Sequence, residues 1–331
     1  MKVLVATEKP FAAVAVDGIR EVVEKAGYEL VLLEKYTDKE QLLEAVADAD
    51  ALIVRSDKVD TAVLDAAKKL KIVVRAGAGY DNIDLDAAKA HGVIVENTPG
   101  QNSNAVAELV FGMLVMAVRN MYRGTAGTEL KGKCLGIDAF GQVGRNVARI
   151  ARGFGMEVAA VDPYCPDEVM VEAGVKPVRT VAELFAGNDV VSLHIPATAE
   201  TRGSIGYELV KSMPKGAVLV NTARKEVIDE QGLAQALTER PDLKYVADVK
   251  PDASAAYIEQ FADRVFFTPK KMGAQPAEAN INAGLAAARQ IVAYFTECDT
   301  RYQGNKKPTA DNKLHNGAAP VAAPFYVFIR V

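Results

Sequence analysis

The sequence predicts an α/β protein built as two parallel-sheet units in tandem, and three observations carry that prediction. Short β-rich runs alternate with amphipathic helical segments from the first residue onward. Those runs are nearly continuous in apolar residues, the mark of strands covered by helices on both faces. At 331 residues the chain also exceeds what one hydrophobic core usually supports.

The first strand is expected at 2–6. Ile19, Val22, Val23 and Ala26 then fall at i, i+3, i+4 and i+7, one face of a helix that stops at Gly27. Further strands are expected at 29–33, 51–54, 71–74 and 93–95. A second series starts near Leu130, with strands expected at 134–138, 157–161, 190–193, 217–220, 244–247 and 265–267. Between the two series, residues 103–119 carry a wide apolar stripe of Val106, Leu109, Val110, Met113 and Leu114. A core helix is the first reading of that stripe; a bridge between units or a dimer surface are others. A long helix at 277–295 is expected to return the chain to the first unit. Residues 305–317 read as a polar, turn-rich linker ahead of a short apolar terminal strand, and no function attaches to them.

Half the residues are apolar and a quarter charged, an ordinary globular composition. Thirty-nine basic against 43 acidic side chains leave a net charge of −4, too mild for a nucleic-acid partner or an acidic tail. No apolar stretch approaches membrane-spanning length, and the N-terminus lacks the small-residue cleavage site of a secretory leader. Cys134, Cys165 and Cys298 are odd in number and widely spaced. They imply reduced thiols in a cytoplasmic protein, with no disulfide framework and no metal site.

The strand at 134–138 runs into Ala139-Phe140-Gly141-Gln142-Val143-Gly144, and a helix follows to about Phe154. This is a dinucleotide fingerprint with alanine at its first glycine. Gly141 would let the backbone approach a pyrophosphate, the N–H groups of Gln142 and Val143 would open the helix toward it, and Gly144 would allow close helix–strand packing. Glycines in strand-to-helix turns are often turn residues only. Here the next strand ends at Asp162, eighteen residues after Gly144, where a carboxylate can bind ribose hydroxyls and repel a 2′-phosphate. That ordered set points to NAD. Ala139 adds only a methyl group and is expected to be tolerated if its φ is negative.

From about residue 1 to 300 the chain resembles the D-isomer-specific 2-hydroxyacid dehydrogenases. The segments that carry the resemblance are Arg75-Ala76-Gly77-Ala78-Gly79-Tyr80-Asp81-Asn82-Ile83-Asp84, Asn97-Thr98-Pro99-Gly100, Val106-Ala107-Glu108-Leu109, Lys131-Gly132-Lys133-Cys134-Leu135-Gly136-Ile137 and Val220-Asn221-Thr222-Ala223-Arg224. The resemblance implies a discontinuous substrate domain, residues 1–98 with 277–331, around a central NAD-binding Rossmann domain, residues 99–276. It also implies a homodimer formed through the NAD-binding domain.

Family catalysis uses an arginine, a histidine and a glutamate. Arg224 matches the arginine, which would hold the substrate carboxylate and polarise the reacting carbonyl. The Thr-Pro-His slot reads Thr268-Pro269-Lys270-Lys271-Met272-Gly273, and the glutamate position, five residues after Asp248, is Ala253. Lys270 is therefore expected to be the acid/base, with Lys271 as the other candidate. A lysine must lose a proton to act as a base, and a neighbouring glutamate would hold it charged, so loss of the glutamate fits gain of the lysine. In these segments the chain looks like the short phosphoglycerate dehydrogenases that carry lysine in place of the histidine.

A phosphorylated hydroxy acid such as D-3-phosphoglycerate is the substrate that this resemblance implies. Arg55-Ser56 and Arg75 stand at strand ends, where the matching arginines face the phosphate, and Lys58 reads as a surface residue. Backbone amides of Ala76 and Gly77 would hold the carboxylate, and Asn102 and Ser103 would close the cleft. On the cofactor side, His194 and Pro196 resemble the loop that passes NAD, His194 as a structural residue. Thr222, Ala223, Asp248 and Gly273 complete that set, Asp248 as a partner of the nicotinamide amide. Two other readings are a hydroxypyruvate- or glyoxylate-type dehydrogenase and a non-catalytic NAD sensor.

Overall fold

The computed structural model describes residues 1–273 and 277–305. Most of the 305–317 linker and the terminal strand expected after it lie outside the described residues.

The first sheet contains β1 (Lys2–Thr7), β2 (Glu29–Glu34), β3 (Ala51–Val54), β4 (Ile72–Arg75) and β5 (Ile94–Asn97), in the spatial order β2-β1-β3-β4-β5. The second contains β6 (Cys134–Asp138), β7 (Glu157–Val161), β8 (Lys176–Pro177), β9 (Val190–Leu193), β10 (Val218–Asn221), β11 (Lys244–Ala247) and β12 (Val265–Phe267), ordered β12-β11-β10-β9-β6-β7-β8. Every strand pair is parallel. Each sheet reverses direction beside its first strand, which leaves a crevice above the carboxyl ends of the strands where ligands enter such sheets.

The helices are α1 (Ala13–Lys25), α2 (Lys39–Val46), α3 (Thr61–Ala66), α4 (Leu85–Ala90), α5 (Ser103–Val118), α6 (Gln142–Gly153), α7 (Asp167–Glu172), α8 (Val181–Gly187), α9 (Tyr207–Ser212), α10 (Glu230–Glu239), α11 (Ser254–Phe261) and α12 (Ala277–Glu297). Several start on an acid or hydroxyl that accepts from a first-turn N–H, as Asp38, Asp60, Asp84, Thr180 and Asp229 do. Strands β3, β9 and β10 are buried at every residue, which is why they read as unbroken apolar runs.

Helix α12 returns to the first sheet. Its Ala283, Ala287, Ala288 and Ile291 share one core with Val3, Val5, Ile19 and Val74. Helix α5 instead joins the second sheet, where Val110, Leu114 and Ala117 pack with Leu135, Val147 and Val246. The two-residue edge strand β8, which includes Pro177, went unforeseen because so short a segment has no periodicity to read.

The condition for an easily tolerated alanine at the first glycine position is not met. Ala139 has φ +77°, in the left-handed region, not a negative φ. Its N–H is held by Val161 O at 2.9 Å while the next amide, Phe140 N–H, is drawn to Asp162 Oδ2 at 2.8 Å, so the chain must turn sharply there. An alanine in this conformation is strained by about 1–2 kcal/mol, partly offset in a glycine by unfolded-state entropy. Ala139→Gly is expected to stabilise the protein by roughly 0.5–1 kcal/mol. A thermal midpoint that falls on this substitution would contradict that account.

Candidate active site

In the first sheet the crevice is lined by residues just past β3 and β4. Arg75 Nε donates to Arg55 O at 2.9 Å, and the Arg75 guanidinium lies over Gly77. Gly77 has φ +154°, and a side chain there would collide with that guanidinium, so the glycine is what lets the cation lie flat. Arg55 is tied inward: its Nη1 donates to Lys9 O at 2.9 Å and Pro10 O at 3.1 Å, and its Nη2 to Asn280 Oδ1 at 2.9 Å. It also stacks over Phe11. Burial works against the charged form of both guanidiniums, and Asp57 and Asp81 respectively oppose it. A desolvated cation that stays protonated is a strong anion receptor.

Next to Arg55 lies Asp57, a residue that no motif or spacing singles out. The buried Asp57 carboxylate accepts from Glu8 N–H at 2.8 Å, Tyr36 Oη at 2.9 Å and Arg55 N–H at 3.3 Å, joining three loops. Ser56 and Lys58 are exposed, Ala76 is buried, Asn102 is half-buried and Ser103, which opens α5, is buried.

On the second sheet, Gly141 precedes α6 with an extended backbone, and nothing stands within 4 Å of the place a side chain would occupy. That open space is where a pyrophosphate would approach. At Gly144 a Cβ would collide with Ala139 O and press on Ile137, so α6 packs directly on β6. Gln142 is exposed and Val143 half-buried. Both Asp162 oxygens are engaged, Oδ2 by Phe140 N–H and Oδ1 by Tyr164 N–H, each at 2.8 Å. Lone pairs remain for ribose hydroxyls, and Asp162, Val161, Val178, Arg179 and Val181 line a hollow of about 280 Å³ beside it.

His194 N–H donates to Asp138 O at 2.9 Å, and its Nε2 meets Ser192 Oγ at 3.0 Å. Burial pushes its pKa down to about 3, which keeps the ring neutral and out of proton transfer near pH 7. Pro196 is exposed. The loop Thr222-Ala223-Arg224 is held by the buried Asn221, whose Oδ1 accepts from Ala223 N–H at 2.9 Å and whose Nδ2 donates to Arg224 O at 3.0 Å. Arg224 is exposed, and its Nη1 donates to Ala223 O at 2.9 Å.

Asp248 organises the lysine loop. Its Oδ1 accepts from Thr268 Oγ1 at 2.8 Å and Met272 N–H at 2.7 Å, and its Oδ2 accepts from Gly273 N–H at 2.9 Å. Sequence reasoning assigned Asp248 to the cofactor alone; its hold on a loop twenty residues further on could not be seen from one chain position. Within that loop both Lys270 and Lys271 are exposed. Partial burial pushes the Lys271 ammonium pKa down, the Arg224 and Arg75 guanidiniums add to the push, and Asp248 and Asp81 oppose it. Lys271 therefore feels both arginines.

A dinucleotide fits the residues present. Asp138 Oδ2, Thr98 Oγ1 and Thr222 Oγ1 are buried at strand ends without a hydrogen-bond partner among the described residues, in a crevice that already has an open glycine loop and a ribose-facing acid. No helix among the described residues is long and apolar enough to cross a membrane.

These features define the class: a doubly wound α/β protein with a dinucleotide crevice and a cationic mouth. The comparisons with known proteins narrow it. Residues 112–269 match the family model described as D-isomer specific 2-hydroxyacid dehydrogenase, NAD binding domain. The chain is 35% identical to the hydroxypyruvate reductase of Thermotoga maritima over 283 residues, 80% of this chain and 90% of that one. It is 41% identical to the D-3-phosphoglycerate dehydrogenase of Methanocaldococcus jannaschii over 270 residues, 76% of this chain and 51% of that one, and so spans about half that relative's length. A solved structure, NAD⁺-bound 3-phosphoglycerate dehydrogenase of Entamoeba histolytica, superposes with a TM-score of 0.79 at 50% identity, covering 92% of this chain and 99% of that one. The chain belongs to the D-isomer-specific 2-hydroxyacid dehydrogenases, and its second sheet is that family's NAD-binding domain.

Proposed function

We propose that this protein oxidises D-3-phosphoglycerate to 3-phosphohydroxypyruvate with NAD, the first step of phosphorylated serine biosynthesis. The observation that carries the reading is that the Arg224 and Arg75 guanidiniums both act on the Lys271 ammonium, a gathering of more cationic charge than an unphosphorylated hydroxy acid needs. The likeness to the Entamoeba histolytica enzyme supports it. Division into a substrate domain of 1–98 with 277–331 and an NAD domain of 99–276 is proposed on the same footing, supported by the return of α12 to the first core.

NAD, when bound, supplies the hydride acceptor. Arg224 would grip the substrate carboxylate and orient the C2 hydroxyl, and Arg75 would take the phosphate. As hydride leaves C2, a neutral lysine accepts the hydroxyl proton and the guanidinium of Arg224 stabilises charge building on that oxygen. Sequence position nominated Lys270 for the proton. We favour Lys271, because desolvation and then the Arg224 and Arg75 guanidiniums lower its proton affinity.

The test compares D-3-phosphoglycerate, D-glycerate and D-lactate with NAD. D-3-phosphoglycerate should be preferred, and Arg75→Ala should lower its kcat/KM by roughly tenfold to a hundredfold, the loss of one or two charge-assisted hydrogen bonds. A second reading, reduction of hydroxypyruvate or glyoxylate, is favoured by one observation: Arg55 spends its donors on Lys9 O, Pro10 O and Asn280. Preference for unphosphorylated substrates with little effect of Arg75→Ala would select it. NAD binding without turnover of any 2-hydroxy acid would select the sensor reading instead.

A further inference from the structure

Asp138 closes β6 at the point where the second sheet reverses direction, with β9 on one side and β7 on the other. Its main chain is saturated: the sheet register pairs it with Val161 and Leu193, and its carbonyl accepts His194 N–H. Its side chain is not. Asp138 is only 4% exposed, and Oδ2 is buried with no partner among the described residues. Such an atom is costly to leave unpaired, by about 1–3 kcal/mol, and in a native site it calls for a ligand or water.

Strand alternation fixes which way the carboxyl points. Ile137 faces α6, since a side chain on Gly144 would press on it, while Gly136 faces Leu184 and Asn188 of the α8 side. Asp138 shares the face of Gly136. On that face it is flanked by Val161, a wall of the hollow beside Asp162, and by the His194 loop. A dinucleotide with its pyrophosphate on the Gly141 loop and its ribose on Asp162 would pass the end of β6, where Asp138 stands.

We propose that the protonated Asp138 carboxyl donates a hydrogen bond to a ring nitrogen or ribose oxygen of the cofactor's adenosine, so that cofactor capture depends on a proton held by the protein. The inference rests on the NAD site described above.

The surroundings favour the protonated form. Asp162 at the end of β7 is an unfavourable anionic neighbour, His194 at the end of β9 is neutral, and Asn188 from the α8 side is uncharged with its amide on Leu184 O. Burial, with Asp162 adding to it, pushes the Asp138 pKa up to about 7.

Calorimetric titration with ADP-ribose, which keeps the adenosine and diphosphate but lacks nicotinamide, isolates this contact from the lysine loop. For the wild type the dissociation constant should rise about thirtyfold from pH 6 to pH 8.5, as expected for a donor titrating near 7. Asp138→Asn keeps a donor that does not titrate, so its affinity should be flat across this range. Asp138→Leu should bind more weakly than wild type at pH 6, also without slope. Proton uptake counted in two buffers of different ionisation enthalpy supplies a readout that needs only the wild type and the near-isosteric Asn variant. An Asn variant that keeps the slope, affinity that rises with pH, or no proton uptake overturns the inference while leaving the NAD site intact. Failure of the wild type to bind NAD or ADP-ribose at any pH overturns both.

Discussion

Replacing Lys271 by methionine should lower turnover by roughly a hundredfold to ten-thousandfold, the range for losing a positioned general acid/base. The same change at Lys270 should leave kcat within a few-fold. Both side chains sit on the loop that Asp248 holds, and at Lys271 desolvation, with the Arg224 and Arg75 guanidiniums adding to it, weakens the ammonium's hold on its proton. Oxidation needs the neutral amine, so kcat/KM should rise with pH through the lowered lysine pKa and level off above it. Lys271→Arg should stay inactive at every accessible pH, since a guanidinium does not give up its proton. NAD affinity should change little, which separates lost chemistry from lost folding. If Lys270→Met is the inactive variant and Lys271→Met turns over normally, the assignment reverses.

The second large effect concerns stability. Asp138 titrates near 7 in the folded protein, against an ordinary carboxylate value of 3.8. Its folded pKa is raised, so between those values the native state holds more protons than the unfolded one and stability falls as pH rises. The stability is fully present below about 4, declines through 7, and is level above. Between pH 5 and 8 the loss should be roughly 2–3 kcal/mol in the cofactor-free protein. Asp138→Asn removes the titration, so its thermal midpoint should fall less over that interval than the wild type's. Parallel midpoint curves for the two proteins would sink this account. Bound cofactor should raise the wild-type midpoint most at low pH, where the proton is in place, and so steepen its fall with pH.

Much of the fold was legible because burial on both faces leaves a plain mark. The unbroken apolar runs at β3, β9 and β10 exist because helices cover those strands above and below. Gly141, Gly144 and Asp162 were legible for a similar reason: each answers a local demand, on strand-to-helix packing or on a turn, that recurs at fixed spacing. The Ala139 conformation was not legible. Its positive φ follows from two anchors, Val161 O and the Asp162 carboxylate, that come from a different strand.

The sequence by itself determined the class: tandem parallel sheets, a dinucleotide loop with an acid eighteen residues on, an arginine after β10 and a Thr-Pro-Lys-Lys segment where the family keeps histidine. Tertiary structure decided which of those residues share an environment. It tied Arg55 inward and left Arg75 over Gly77, and it spent Asp248 on the lysine loop. It brought Lys271 within the influence of two guanidiniums, and it left Asp138 buried at the switch point with an oxygen unpaired among the described residues. Periodicity reports which face of an element is buried, because the pattern is local. Charge coupling and desolvation depend on groups distant in sequence, so they exist only once the sheets and loops have closed around the crevice.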